Sequence, residues 1–79
     1  MKDKRLKIVG ANVRGIREAR GVSQEELAFR CGCHRNYIGL VERGERNPSL
    51  LRLLDICEAL GVAVVEVLPA REASASRGH

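Results

Sequence analysis

The chain has 79 residues, room for one small domain, and its Lys and Arg outnumber its Asp and Glu by 14 to 10. One Phe, one Tyr and no Trp force an aliphatic core, and a pI near 9.4 suits a polyanionic partner. No apolar run approaches the roughly 20 residues of a membrane span, and the charged start MKDKRLKIVG is no secretory signal, so a cytoplasmic protein with reduced thiols is expected.

Leu6, Val9, Val13 and Ile16 recur at three- and four-residue steps, the period of an amphipathic helix. Gly21 ends this first helix, and Arg20 sits in its last turn, where a cation suits the helix dipole. Residues 1–5 precede the pattern and are expected to be a flexible, basic N-terminus. Ser23 followed by Glu26 makes a capping box, which predicts a second helix. Leu27, Ala28 and Cys31 are its inward residues, and Gly32 stops it. A third helix starts near His34 or Arg35, turns Ile38, Val41 and Glu42 inward, and ends at Gly44. The loop RGERNP follows, rich in turn formers.

Ser49 can cap a fourth helix, whose Leu50, Leu53, Leu54, Cys57 and Leu60 form an apolar stripe up to Gly61. Residues 62–68 are rich in valine, but a lone strand would have nothing to pair with. A short fifth helix is expected instead, poorly capped because Ala63 stands at its start, and closed by Pro69. The tail AREASASRGH, residues 70–79, is small and polar and is expected to be disordered. The whole reads as an all-α domain of five short helices over residues 6–69. A tight glycine-bearing turn joins the second helix to the third, which is the helix-turn-helix arrangement.

At about 100° per residue, Asn36, Gly39, Leu40 and Arg43 fall on the outward face of the third helix, and Arg35 projects from its N-terminal end. Arg pairs bidentately with guanine and Asn with adenine in the major groove of DNA. Gly39 would let the helix come close to the bases, and Leu40 could meet a thymine methyl. The same pattern also describes a solvated helix face carrying two arginines.

From about Val9 to Leu68 the chain resembles the Cro/CI-type, or XRE-type, helix-turn-helix family. The residues that carry the resemblance are Ile16-Arg17, Gly21 to Ala28 (GVSQEELA), Gly32, Tyr37-Ile38, Val41-Glu42-Arg43-Gly44, Asn47-Pro48-Ser49-Leu50 and Ala59-Leu60-Gly61-Val62. Within the family, the run from His34 to Ile38 and from Glu42 to Leu50 looks most like the controller proteins of restriction–modification systems. The resemblance implies a five-helix, lambda-repressor-like fold with the third helix in the major groove, and a homodimer on double-stranded DNA with a two-fold operator. It implies that Ser23 and Gln24, at the start of the second helix, lie at the DNA, Gln24 touching a phosphate or a base edge. Arg35 and Asn36 would read bases, and Tyr37 would lie against the backbone or the centre of the site. Arg43, Arg46 and Asn47 would grip the DNA around the end of the third helix, and Arg14 would add phosphate attraction. Arg17 would pair with Glu42 inside the domain, and the inward position of Glu42 agrees with that. Asn36 and Gly39 stand where relatives often carry Ser or Thr, so the base preference does not transfer from a relative. Phe29 occupies a position that is usually polar.

Within this frame CGCH is the end of one helix, the turn and the cap of the next. Cys31 and Cys33 are expected to serve as small hydrophobes, with thiol redox sensing as the lesser alternative, and His34 falls near the N-cap, where it could also reach a phosphate. Zinc would prefer C-x₂₋₄-C spacing and a fourth ligand, whereas here the spacing is C-x-C-H. No metal, cofactor or small-molecule ligand is expected. Leu51, Val64, Val65 and Leu68 are apolar beyond the needs of the core and are expected at a dimer surface. No catalytic set of Ser, His and Asp is visible, so an enzyme is not expected. Two functions remain: an autoregulatory transcription regulator, with RNA polymerase as a further partner and Glu25 and Glu26 as acidic residues near the DNA side, or an antitoxin-like module that binds a partner protein. The short segments outside residues 6–69 leave little chain for holding a toxin.

Overall fold

The computed structural model describes residues 3–70. Four α-helices are present: α1 (Lys4–Ala19), α2 (Gln24–Cys31), α3 (Arg35–Glu42) and α4 (Leu50–Leu60). A 3-10 turn, Val64–Glu66, follows them, and there is no strand among the described residues. The fold is all-α, but the expected fifth α-helix is only this one turn. The segment between Gly61 and Pro69 is short and β-branched, and the residue before a proline is pushed away from helical angles. Ala63 offers no side-chain cap; instead its own N–H donates to Glu66 Oε2 at 3.1 Å.

Each α-helix starts on a residue that supplies an acceptor. Asp3 accepts from the Arg5 N–H, Ser23 Oγ from Glu26, His34 Nδ1 from Asn36, and Ser49 Oγ from Arg52. Asp3 therefore starts α1 at Lys4, so Lys4 and Arg5 belong to a helix and not to the flexible N-terminus expected for residues 1–5. Residues 1–2 and 71–79 lie outside the described residues, so of the expected tail only Ala70 is described. The capping box of α2 forms in one half: the Glu26 carboxylate turns to Arg30, 2.9 Å away.

The core is one aliphatic cluster: Val9, Val13, Leu27, Ala28, Ile38, Val41, Leu53, Ile56, Cys57, Leu60 and Val67. Each helix contributes to it, and Val67 brings in the C-terminal turn. The Asn12 side-chain amide ties that turn to α1 by donating to the Val67 carbonyl at 3.0 Å. The stripe of α4 is rotated from the one expected. Ile56 is fully buried, whereas Leu50 and Leu54 are exposed. Leu53, Ile56, Cys57 and Leu60 are spaced three, one and three residues apart and share one side of the helix, and that is the side α2 covers.

Two close approaches hold α1 against α3. Gly10 faces the end of α3 so closely that a Cβ there would lie 2.3 Å from the Val41 carbonyl oxygen and 2.5 Å from that of Glu42. Gly44, with φ +73°, turns the chain out of α3 directly beneath the backbone of Lys7.

Candidate nucleic-acid interface

α2 and α3 pack against each other across a three-residue connection that opens with Gly32 in the left-handed region, φ +68°. The Cys33 N–H donates to the Ala28 carbonyl at 3.0 Å, closing the end of α2. Arg52 of α4 secures the same turn, its guanidinium donating to the Cys31 carbonyl at 2.8 Å. Sequence reading missed Arg52. A cation within reach of an open helix C-terminus is the physical signal, but it shows only once α4 is seen to cross α2.

Beneath α3 lies a buried ion pair. Arg17 Nε donates to Glu42 Oε2 at 2.6 Å and its Nη2 to Oε1 at 3.1 Å, a two-pronged contact. The Arg17 side chain is 10% exposed and that of Glu42 2%. Arg17 Nη1 also donates to the Val22 carbonyl. The hydrogen bonds to Glu42 outweigh the cost of burial and push the Arg17 guanidinium pKa further up. Gln24 completes the network, its amide donating to Glu42 Oε1 at 2.9 Å. In the free protein Gln24 is thus half-buried and occupied by Glu42. It still borders an open groove of about 320 Å³ lined also by Arg35, Asn36, Gly39, Leu40 and Arg43. Ser23 borders the adjoining groove with Arg14, its hydroxyl engaged in capping α2.

On the outer side, Arg35, Asn36 and Arg43 are exposed and Leu40 is half-buried. Gly39 is buried, not bare. The Arg43 guanidinium folds over it, and a Cβ at Gly39 would lie 3.1 Å from Arg43 Nη1. Gly39 therefore makes room for Arg43 in the free protein. Arg35 pairs with Glu25 across the helix-turn-helix at 2.9 Å, and Arg43 with Glu45 at 3.2 Å. Arg14 pairs with Glu18 within α1 at 3.0 Å. Tyr37 is half-buried between two cations, the guanidinium carbons of Arg46 and Arg52 lying 5.5 and 5.8 Å from its ring centre. Burial pushes the Tyr37 hydroxyl pKa up, against the pull of both arginines. Asn47 is exposed in the loop after α3.

The cysteines are free thiols. Burial pushes Cys31 up to about 11 and also raises Cys57. Such thiols stay protonated at neutral pH and are poor nucleophiles. Among the described residues, no group of three or more His, Cys, Asp or Glu is placed to hold a metal ion. No helix among them is long and apolar enough to cross a membrane.

Of the residues expected at a dimer surface, Leu51, Val65 and Leu68 are exposed, Leu51 at 73% and Val65 at 69%. Val64 differs: it is half-buried and packs on the core. Leu50 and Leu54 join the exposed group. Phe29 is also exposed, at 82%, on the outer side of α2.

Two short helices joined by a three-residue turn with a left-handed glycine, the second carrying arginine and asparagine outward, make the helix-turn-helix arrangement of DNA-binding domains. A family profile described as helix-turn-helix matches residues 13–67. The chain is 47% identical over 62 residues to Control protein C.BamHI of Bacillus amyloliquefaciens, covering 77% of this chain and 76% of the relative. It is 46% identical over 61 residues to Control protein C.SmaI of Serratia marcescens, covering 77% and 73%. Among solved structures it is similar to the restriction-modification controller protein C.AhdI from Aeromonas hydrophila, with a TM-score of 0.81 and 42% identity over 84% of this chain and all of that one. The chain belongs to the helix-turn-helix family of XRE-type DNA-binding transcriptional regulators.

Proposed function

We propose that this protein is a sequence-specific regulator that binds a two-fold DNA operator as a homodimer and acts on its own promoter. One observation carries the reading. α3 buries Ile38, Val41 and Glu42 on one side and leaves Arg35, Asn36 and Arg43 exposed on the other, with Arg46 and Asn47 in the loop that follows. Those are the side-chain types that read guanine and adenine edges and hold phosphates. The names of the relatives, two control proteins and a restriction-modification controller protein, support a regulatory role.

The exposed Leu50, Leu51 and Leu54 on α4, with Val65 and Leu68 beyond it, support pairing of two copies. Two copies would set their α3 helices in successive major grooves, about 34–36 Å apart. The test is binding to the DNA upstream of the protein's own gene, read by fluorescence anisotropy against a scrambled duplex across a salt series. A preference on the order of a thousandfold, with affinity falling steeply as salt rises, is the expected result. Weak and equal binding to both duplexes would overturn the reading.

A further inference from the structure

The geometry points to Glu25 as a specificity-determining residue, a carboxylate that holds Arg35 away from DNA phosphates and so favours its use on base edges. This inference rests on the DNA-binding reading above. Arg35 is the first residue of α3, and Glu25 stands in the first turn of α2. Their side chains meet across the helix-turn-helix at 2.9 Å, Arg35 Nε to Glu25 Oε2.

Both partners are well exposed, 52% for Arg35 and 67% for Glu25. A pair this exposed adds little to folding. Its consequence falls on what else Arg35 binds. Glu25 also borders the groove of Arg14, Ser23 and Arg43, where DNA phosphates would approach. An Arg35 that reaches for a phosphate either leaves Glu25 or draws that carboxylate towards another anion, and both cost free energy. An Arg35 laid along the groove towards a guanine edge meets no such repulsion. Non-specific contacts are mainly phosphate contacts, so the carboxylate penalises them most.

Other acids nearby differ in what they hold. Glu42 is buried with Arg17 and Gln24, and Glu26 is engaged with Arg30 on its own helix. Glu25 alone of these three reaches the N-terminal end of α3.

The experiment compares Glu25→Gln with wild type on two duplexes: one selected by the wild-type protein from a randomised pool, and one of the same bases scrambled. Glu26→Gln serves as the control for simple loss of a negative charge. The expected result is scrambled-duplex binding about two- to fivefold tighter in Glu25→Gln, the range an exposed pair of this strength allows. Binding to the selected duplex changes less, so the preference falls. In an Arg35→Ala background the Glu25→Gln change should then have no effect on preference. An unchanged preference in Glu25→Gln overturns the inference, as does an equal fall in Glu26→Gln or a fall that persists without Arg35. Melting temperature checks that each variant is folded. Failure of the wild-type protein to select any duplex would count against the DNA-binding reading instead, which keeps the two failures apart.

Discussion

The α1–α3 seam and the outer face of α4 treat side chains in opposite ways. The seam puts a charged pair, Arg17 and Glu42, into the interior and brings backbones close together at Gly10 and Gly44. The face of α4 leaves Leu50 and Leu51 mostly in solvent. The seam thus behaves as structure written in polar residues, and the leucine face is the surface proposed to pair two copies. Polarity alone assigns neither region, because burial depends on what lies opposite.

The comparison can be broken first at Glu42. Glu42→Ala leaves Arg17 buried without its carboxylate, and a loss of about 3–5 kcal/mol in urea unfolding is expected. A loss below about 1 kcal/mol would place the seam with the weak surface pairs. Gly10→Ala should come next. Its Cβ would meet backbone rather than a movable side chain, so α1 must shift from α3 at a cost of about 1–3 kcal/mol or more. The DNA side sharpens the contrast: Arg35→Ala should leave unfolding unchanged while weakening operator binding by about 1–3 kcal/mol and relaxing specificity. At the opposite face, Val65→Glu should change monomer stability by no more than about 0.5 kcal/mol. Its expected effect is on assembly, seen as loss of the proposed dimer at micromolar concentration in sedimentation. Persistence of the dimer would remove Val65 from the interface. The smallest effect is a gain. Gly15 lies on the exposed side of α1 with open space around it, so Gly15→Ala should stabilise by about 0.5–1 kcal/mol.

Much of this was legible in the chain. Ser23 and Ser49 announced their helices because a cap is a local contact, made within three residues. Gly32 marked the turn because the left-handed φ of +68° found there strongly favours glycine. Arg17 and Glu42 stood out through their motif, and the structure places them 2.6 Å apart. Local signals failed where two elements compete for one residue. Leu54 and Ile56 are equally good core residues on paper, and the side that α2 covers takes Ile56. Gly39 is expected from the sequence to let α3 come close to DNA bases, yet Arg43 covers it in the free protein. Gln24 was read as free for DNA, yet it first satisfies Glu42.

The sequence by itself determined four helices, the starts of α2, α3 and α4 and the turn between α2 and α3, because caps, glycines and apolar period act over a few residues. It also determined the set of arginines and asparagines available to a polyanion. Only the tertiary structure decided which leucines face solvent, which arginine lies over Gly39 and which carboxylate holds Arg35. Those outcomes depend on contacts between residues far apart in the chain, and no local pattern encodes which helix will cross which.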